Sequence, residues 1–215
     1  MIGPIIAVDG PAAAGKGTLA RRLAGHFNLP YLDTGLLYRA VGRRVLDAGA
    51  DPRDPAAATV AARAVRAEDL ARTDLRGPAA DDAASIVGAH PAVRAALVDF
   101  QRTFAAPRGA VLDGRDIGTV IFPDAPVKLY VTATPEARAR RRWDEVRRRD
   151  PTVTFAIIAA DMTARDTRDA ARDAAPMKPA ADAMILDTTD LNADAAYTTA
   201  VALVAQKLAV LGLTN

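Results

Sequence analysis

Cysteine is absent from this chain, so disulfide bridges and thiolate metal sites are excluded. Lysine is scarce too: of the 28 basic residues four are lysines, at 16, 128, 178 and 207, which leaves 24 arginines. No lysine stands in an Asn-Lys-x-Asp guanine-reading context, which argues against a guanine-nucleotide switch. Aromatic residues amount to 5%, and Trp143 stands alone among the arginines, so no stacking platform for nucleic acid is visible. His26 and His90 sit in no metal-ligand spacing. No apolar run approaches the ~18 residues of a membrane span. The start also lacks a charged segment leading into a long apolar stretch, so a signal peptide is not expected and the expected compartment is the cytoplasm. The net charge is only +2. The arginine total reads as composition bias, and only arginine positions carry information.

Half of the residues are hydrophobic, enough for a sizeable core in one domain of 215 residues. Near the amino terminus the apolar run 4–8 leads into Gly10-Pro11-Ala12-Ala13-Ala14-Gly15-Lys16-Gly17-Thr18, and an amphipathic segment follows over 19–27. Strand, glycine-bounded loop and helix in that order make a phosphate-binding P-loop. The glycines allow a tight turn whose N–H groups converge on phosphate oxygens at the positive end of a helix. Lys16 adds a mobile positive charge for the terminal phosphates, and Thr18 a hydroxyl for a magnesium shell. The usual pattern has Ser or Thr directly after the lysine. Here Gly17 intervenes, as in small kinases rather than switch GTPases or motor ATPases.

Hydrophobic period and punctuation predict strands over 5–8, 31–33, 110–113, 127–131 and 183–186. They predict helices over 16–27, 34–46 with Thr34 as cap, a segment after the Asp54-Pro55 cap, 91–105, 136–149, 154–172 and 194–211. Strands alternating with helices imply a parallel sheet covered on both faces, with ligands at the carboxyl ends of the strands. Asp9–Thr18, 33–39 and 113–116 all fall at such ends, so one shared cleft is expected.

Two further constellations carry charge. Asp113-Gly114-Arg115-Asp116 follows an apolar strand, and an acidic residue there suits the outer shell of a magnesium ion. Arg115 and Asp116 either face the cleft or pair with each other at the surface. Arg165, Arg168 and Arg172 share one helix face, with Asp169 a candidate partner for Arg165. Such a self-repelling stripe is best completed by an external anion. The seven arginines at 138, 140, 141, 142, 147, 148 and 149 are instead expected to be mostly solvated, with one or two reaching phosphate when a lid closes. Glu136–Arg140, Asp144–Arg148 and Glu145–Arg149 offer favourable acid-first pairs there.

With these constellations together the chain resembles the bacterial cytidylate kinases. The resemblance runs through Val8 to Thr18, Leu32 to Arg39, Asp113 to Ala125, and Arg165 to Arg172 continuing to Asp182. It implies an α/β fold: a P-loop NTPase core whose parallel sheet is flanked by helices, with an inserted acceptor-binding sub-domain and a helical lid. The core would comprise about 1–33, 107–134 and 173–215, the insert about 34–106 and the lid about 135–172. It implies transfer of the γ-phosphoryl of ATP to CMP and also dCMP, with magnesium held near Thr18 and Asp113. ATP would lie on Gly10 to Thr18. Thr34, Arg39, Ser85, Arg94, Arg115, Asp116, Arg165, Asp169 and Arg172 would meet the acceptor nucleotide, and Lys16, Asp113, Arg115 and Arg172 would act on the transferring group. Asp116 is the candidate reader of cytosine, because a carboxylate accepts from the N4 amino group and repels the O4 of uracil. The insert between Leu70 and Ser85 is shorter than the family's bacterial form usually carries. Partners are expected to be nucleotides alone, without nucleic acid or membrane, and the protein a monomer. Alternatives are a UMP/CMP, shikimate or dephospho-coenzyme A kinase, a non-catalytic nucleotide switch, or an RNA-binding protein.

Overall fold

In a computed structural model, which describes residues 3–171 and 175–213, five parallel strands form one sheet in the order β2-β3-β1-β4-β5. They are β1 (Ile5–Asp9), β2 (Tyr31–Asp33), β3 (Ala110–Asp113), β4 (Val127–Thr132) and β5 (Met184–Asp187). Side chains alternate across a strand, and the two faces feed separate cores. Ala7, Leu32, Ala110 and Leu112 pack on one side with helices α2 (Thr34–Asp47), α3 (Pro55–Arg63) and α5 (Pro91–Ala105). Ile6, Val8, Val111, Val127, Leu129 and Val131 pack on the other with α1 (Lys16–His26) and α8 (Ala193–Val210). The register sets Val8 beside Asp113, Asp33 beside Asp113 and Asp9 beside Tyr130. The carboxylates that end β1, β2 and β3 are thereby brought to a single edge.

Helix starts follow the punctuation. Asp54 caps α3 by accepting from the Ala56 N–H, with Pro55 at the first helical position. Thr134 does the same for α6 (Pro135–Val146), and Thr154 for α7 (Phe155–Ala170). Thr34 is not a cap: Asp33 holds that position, and the Thr34 hydroxyl donates to the Asp113 carbonyl at 2.7 Å. The α6–α7 pair makes its own small core from Ala139, Ile158 and Met162, edged by Trp143 and Phe155 and seated on P-loop Ala12 and Ala13. Besides a 3-10 turn over Ala67–Ala71, two elements have no counterpart in the periodicity. These are α4 (Pro78–Val87), whose alanine-rich sequence offers little contrast between faces, and a π-helical turn over Ile117–Ile121. Among the described residues no helix is long and apolar enough to cross a membrane.

Candidate active site

The P-loop turns on three positive backbone angles, Gly10 (φ 139°), Ala13 (φ 58°) and Gly15 (φ 87°). Gly15 precedes α1 without a side-chain cap, which leaves the first N–H groups of the helix for an anion. Gly17 has a local reason. A Cβ there would lie 3.1 Å from a carboxylate oxygen of Asp113, so a larger residue would crowd the loop against the end of β3.

Lys16 is buried, donates to the Pro11 carbonyl at 2.8 Å and stands 4.0 Å from Asp113. Burial pulls its ammonium down to about 7, and the like charges of Arg115 and Arg165 add to the effect against Asp113 and Asp9. Burial likewise pushes the Asp113 carboxyl up, opposed by Lys16. Asp9 ends β1. Its two oxygens accept from the Ile117 and Gly118 N–H groups, each at 2.8 Å. Burial pushes its carboxyl up to about 7 in spite of those bonds. Asp9 thus ties the start of the P-loop to the turn after Asp113-Gly114-Arg115-Asp116.

Arg115 and Asp116 do not pair with each other. Arg115 donates to Asp169 on α7 at 3.2 Å, whereas Asp116 is bound by Arg94 from α5. The buried Asp169 thus binds Arg115 directly, and its charge also acts on Arg165 as expected. Arg94 also lies over the Tyr38 ring at 5.5 Å. Arg39 on α2 donates to Asp81 on α4 at 2.7 Å. Arg165 is half-buried and its enclosed Nε has no partner, while burial and Arg115 pull its pKa down to about 10. The Ser85 hydroxyl is buried without a partner as well. Buried donors left unsatisfied are costly, and Arg165 also lies close to the like charges of Arg115 and Arg39. An anionic ligand would satisfy both.

The arginine stripe of α7 divides: Arg165 is held among Arg115, Arg39 and Asp81, but Arg168 is exposed and reaches Asp82 at 3.4 Å. Arg172 lies outside the described residues. The α6 arginines depart further from expectation. Arg138 is buried, binding the carbonyls of Ala133 and Ala12 and the carboxylate of Asp166. Arg141 holds Thr188, whose hydroxyl donates onward to the Thr132 carbonyl or the Ala14 carbonyl of the P-loop. Arg142 binds Asp81 at 2.5 Å. Arg140, Arg147, Arg148 and Arg149 are exposed, as expected. The acid-first pairs are replaced by Arg142–Glu145 and Arg147–Asp144, three apart. Because α6 ends at Val146, Arg148 and Arg149 lie beyond the helical surface that those pairs need.

Thr18 is exposed one residue beyond the Gly17–Asp113 contact. Among the described residues no three acidic, histidine or cysteine side chains gather as a metal cage. That donor set still fits magnesium bound with a nucleotide, since this ion takes one or two protein oxygens and completes its shell with phosphate and water.

Comparison with known proteins matches this arrangement. The family model for cytidylate kinase covers residues 6–206. A cytidylate kinase of Granulibacter bethesdensis is 64% identical over 203 residues, spanning 94% of this chain and 97% of that protein. One from Acidiphilium cryptum is 58% identical over 205 residues, spanning 95% and 97%. A crystal structure of an uncharacterized protein from Eubacterium ventriosum superposes with a TM-score of 0.51 at 16% identity, covering 96% of this chain and 97% of that one, a likeness of fold alone. The matched span takes in the P-loop, the Asp113–Asp116 turn and α7 together, and the chain belongs to the cytidylate kinase family.

Proposed function

We propose that the protein transfers the γ-phosphoryl group of ATP to CMP, and to dCMP, releasing ADP and the nucleoside diphosphate. The observation that supports this reading is the closeness of Lys16 on the P-loop to Arg115 and Arg165, with Arg39 near Arg165 in turn. In this reading they form two anion sites in one cleft, which the unpartnered Ser85 hydroxyl would also serve. Phosphoryl transfer asks for positioning and charge stabilisation more than for covalent help. Gly10 to Thr18 would cradle ATP, with Lys16 swinging from the Pro11 carbonyl onto its terminal phosphates. Arg39, Arg115, Arg165 and Arg172 would neutralise the acceptor phosphate, whose attacking oxygen is already anionic and needs no general base. Thr18 and Asp113 would hold magnesium, which supplies charge neutralisation along the phosphates. Residues 135–172 would act as a lid over the core and the 34–106 insert, excluding water so that ATP is not hydrolysed. The active unit is a monomer in this reading.

Coupled ADP release measured with CMP, dCMP, UMP, AMP, shikimate and dephospho-coenzyme A tests the assignment. CMP and dCMP should be turned over fastest. Turnover confined to a different acceptor would replace the reading.

Cytosine discrimination falls to Asp116. Its carboxylate, steadied by Arg94, would accept from N4 and leave uracil with an unfavourable O4 contact. Asp116→Asn is expected to lower kcat/KM for CMP by about 10-fold or more, the worth of a charged hydrogen bond. UMP should lose less, narrowing the preference. Equal kinetics with both acceptors before and after the change would remove Asp116 from that role.

A further inference from the structure

One carboxylate joins parts of the molecule that the reaction must bring together. Asp81 lies on α4, about one turn before Ser85, and its side chain is only 14% exposed. One oxygen accepts from Arg39 Nε at 2.7 Å and the other from Arg142 at 2.5 Å. Arg39 lies on α2, which begins directly after β2, and Arg142 on α6. Burial would raise the Asp81 carboxyl, but Arg39, Arg142 and Arg165 outweigh it and hold it below the usual carboxylate range. It is therefore an anion at neutral pH, shared by two cations on separate elements.

The geometry at Arg39 decides what this sharing does. A guanidinium offers its donors along two edges. Asp81 takes Nε, while NH1 lies by Gly35, where a Cβ would be 3.2 Å away. The carboxylate thus grips the flank of Arg39 and leaves NH1 beside Gly35, two residues past the carboxyl end of β2. A carboxylate that competed with the acceptor phosphate would be expected at NH1 instead.

We propose that Asp81 is a positioning residue of the acceptor site, aiming Arg39 at the nucleotide phosphate and linking it through Arg142 to the α6–α7 lid. This inference rests on the CMP kinase reading given above. Arg39 held in one orientation binds phosphate without first losing side-chain freedom, and Arg142 held by the same anion favours the closed lid. The neighbouring Asp82–Arg168 contact is exposed at 3.4 Å and contributes little.

Steady-state kinetics on Asp81→Asn, Asp81→Glu, Arg142→Gln and the Asp81→Asn/Arg142→Gln double variant test this, with Asp82→Asn as control and melting curves on each protein. Asp81→Asn should raise KM for CMP about 10-fold and lower kcat several-fold. Asp81→Glu, which keeps the anion, should recover most of the KM. Arg142→Gln should lower kcat by a similar factor while KM for CMP stays within about twofold. The double variant should have the kcat of either single variant, because both changes remove one shared contact. A merely structural Asp81 would lower the melting temperature and leave KM for CMP unchanged, and that result overturns the proposal. So does a lowered KM, which would make Asp81 a competitor of the phosphate, or kcat losses that multiply in the double variant. Wild-type turnover separates the two levels: without turnover on CMP the functional reading fails and this one with it. With normal wild-type turnover, the Asp81 variants judge only the role of Asp81.

Discussion

Lys16→Met is expected to lower kcat by about 100-fold or more, the scale found when one preorganised charge partner of a transition state is removed. CMP affinity should stay within about threefold, since the residues proposed for the acceptor lie on α2, α4, α5, α7 and the turn after β3. Calorimetric CMP binding alongside coupled turnover separates these effects. Near-normal turnover would contradict the P-loop assignment. Stability offers a second readout. In the ligand-free protein burial holds the Lys16 ammonium near 7 instead of its ordinary 10.5. The unfolded chain therefore binds more protons at this group between about pH 7 and 10.5, and stability contributed by this group rises with pH across that window. Methionine has no proton to bind, so the variant should show a flatter rise in melting temperature over pH 7–10. An unchanged rise would mean that the buried ammonium is fully compensated in the empty protein.

Gly10→Ala should cost both fold and function. At φ 139° the residue occupies a region that side chains rarely adopt. An added Cβ would also overlap the Val131 carbonyl of the adjacent strand β4. That neighbour is backbone inside a parallel sheet and cannot rotate away. Positive-φ strain of about 1–3 kcal/mol and overpacking of a similar size add. For a chain of this length the melting temperature should fall by roughly 10 °C. ATP affinity should fall further than stability alone explains, because relief of the clash would turn the following N–H groups away from phosphate. Melting curves with and without ATP check both parts. A variant that melts within about 2 °C of wild type and binds ATP normally would show that the loop accommodates a side chain there.

The strands were legible because each is a short apolar run between turn residues, and burial on both faces of a parallel sheet demands that composition. The capped helices were legible because a cap is a property of three or four consecutive residues, as Asp54-Pro55 and Thr134-Pro135 illustrate. Helix α4 was not, since alanine looks much the same on a buried face and an exposed one. The charged residues divide in the same way. Their types and positions pointed to phosphate, but their partners lay far along the chain. Arg94 meets Asp116, Arg115 meets Asp169 and Asp81 meets Arg142 at separations of 22, 54 and 61 residues. Arg138 is a further case: one of seven arginines on a polar stretch, it is buried because it braces the P-loop through Ala12.

What the amino-acid sequence determined by itself was the order of strand, loop and helix, the phosphate chemistry of residues 10–18, and the likeness to one kinase family. All of these depend on neighbours in the chain or on residue type. Tertiary structure alone decided which guanidiniums are committed to carboxylates and which retain unsatisfied donors. That outcome depends on which helices meet at the carboxyl edge of the sheet, where low solvent access makes each buried charge take the nearest opposite one.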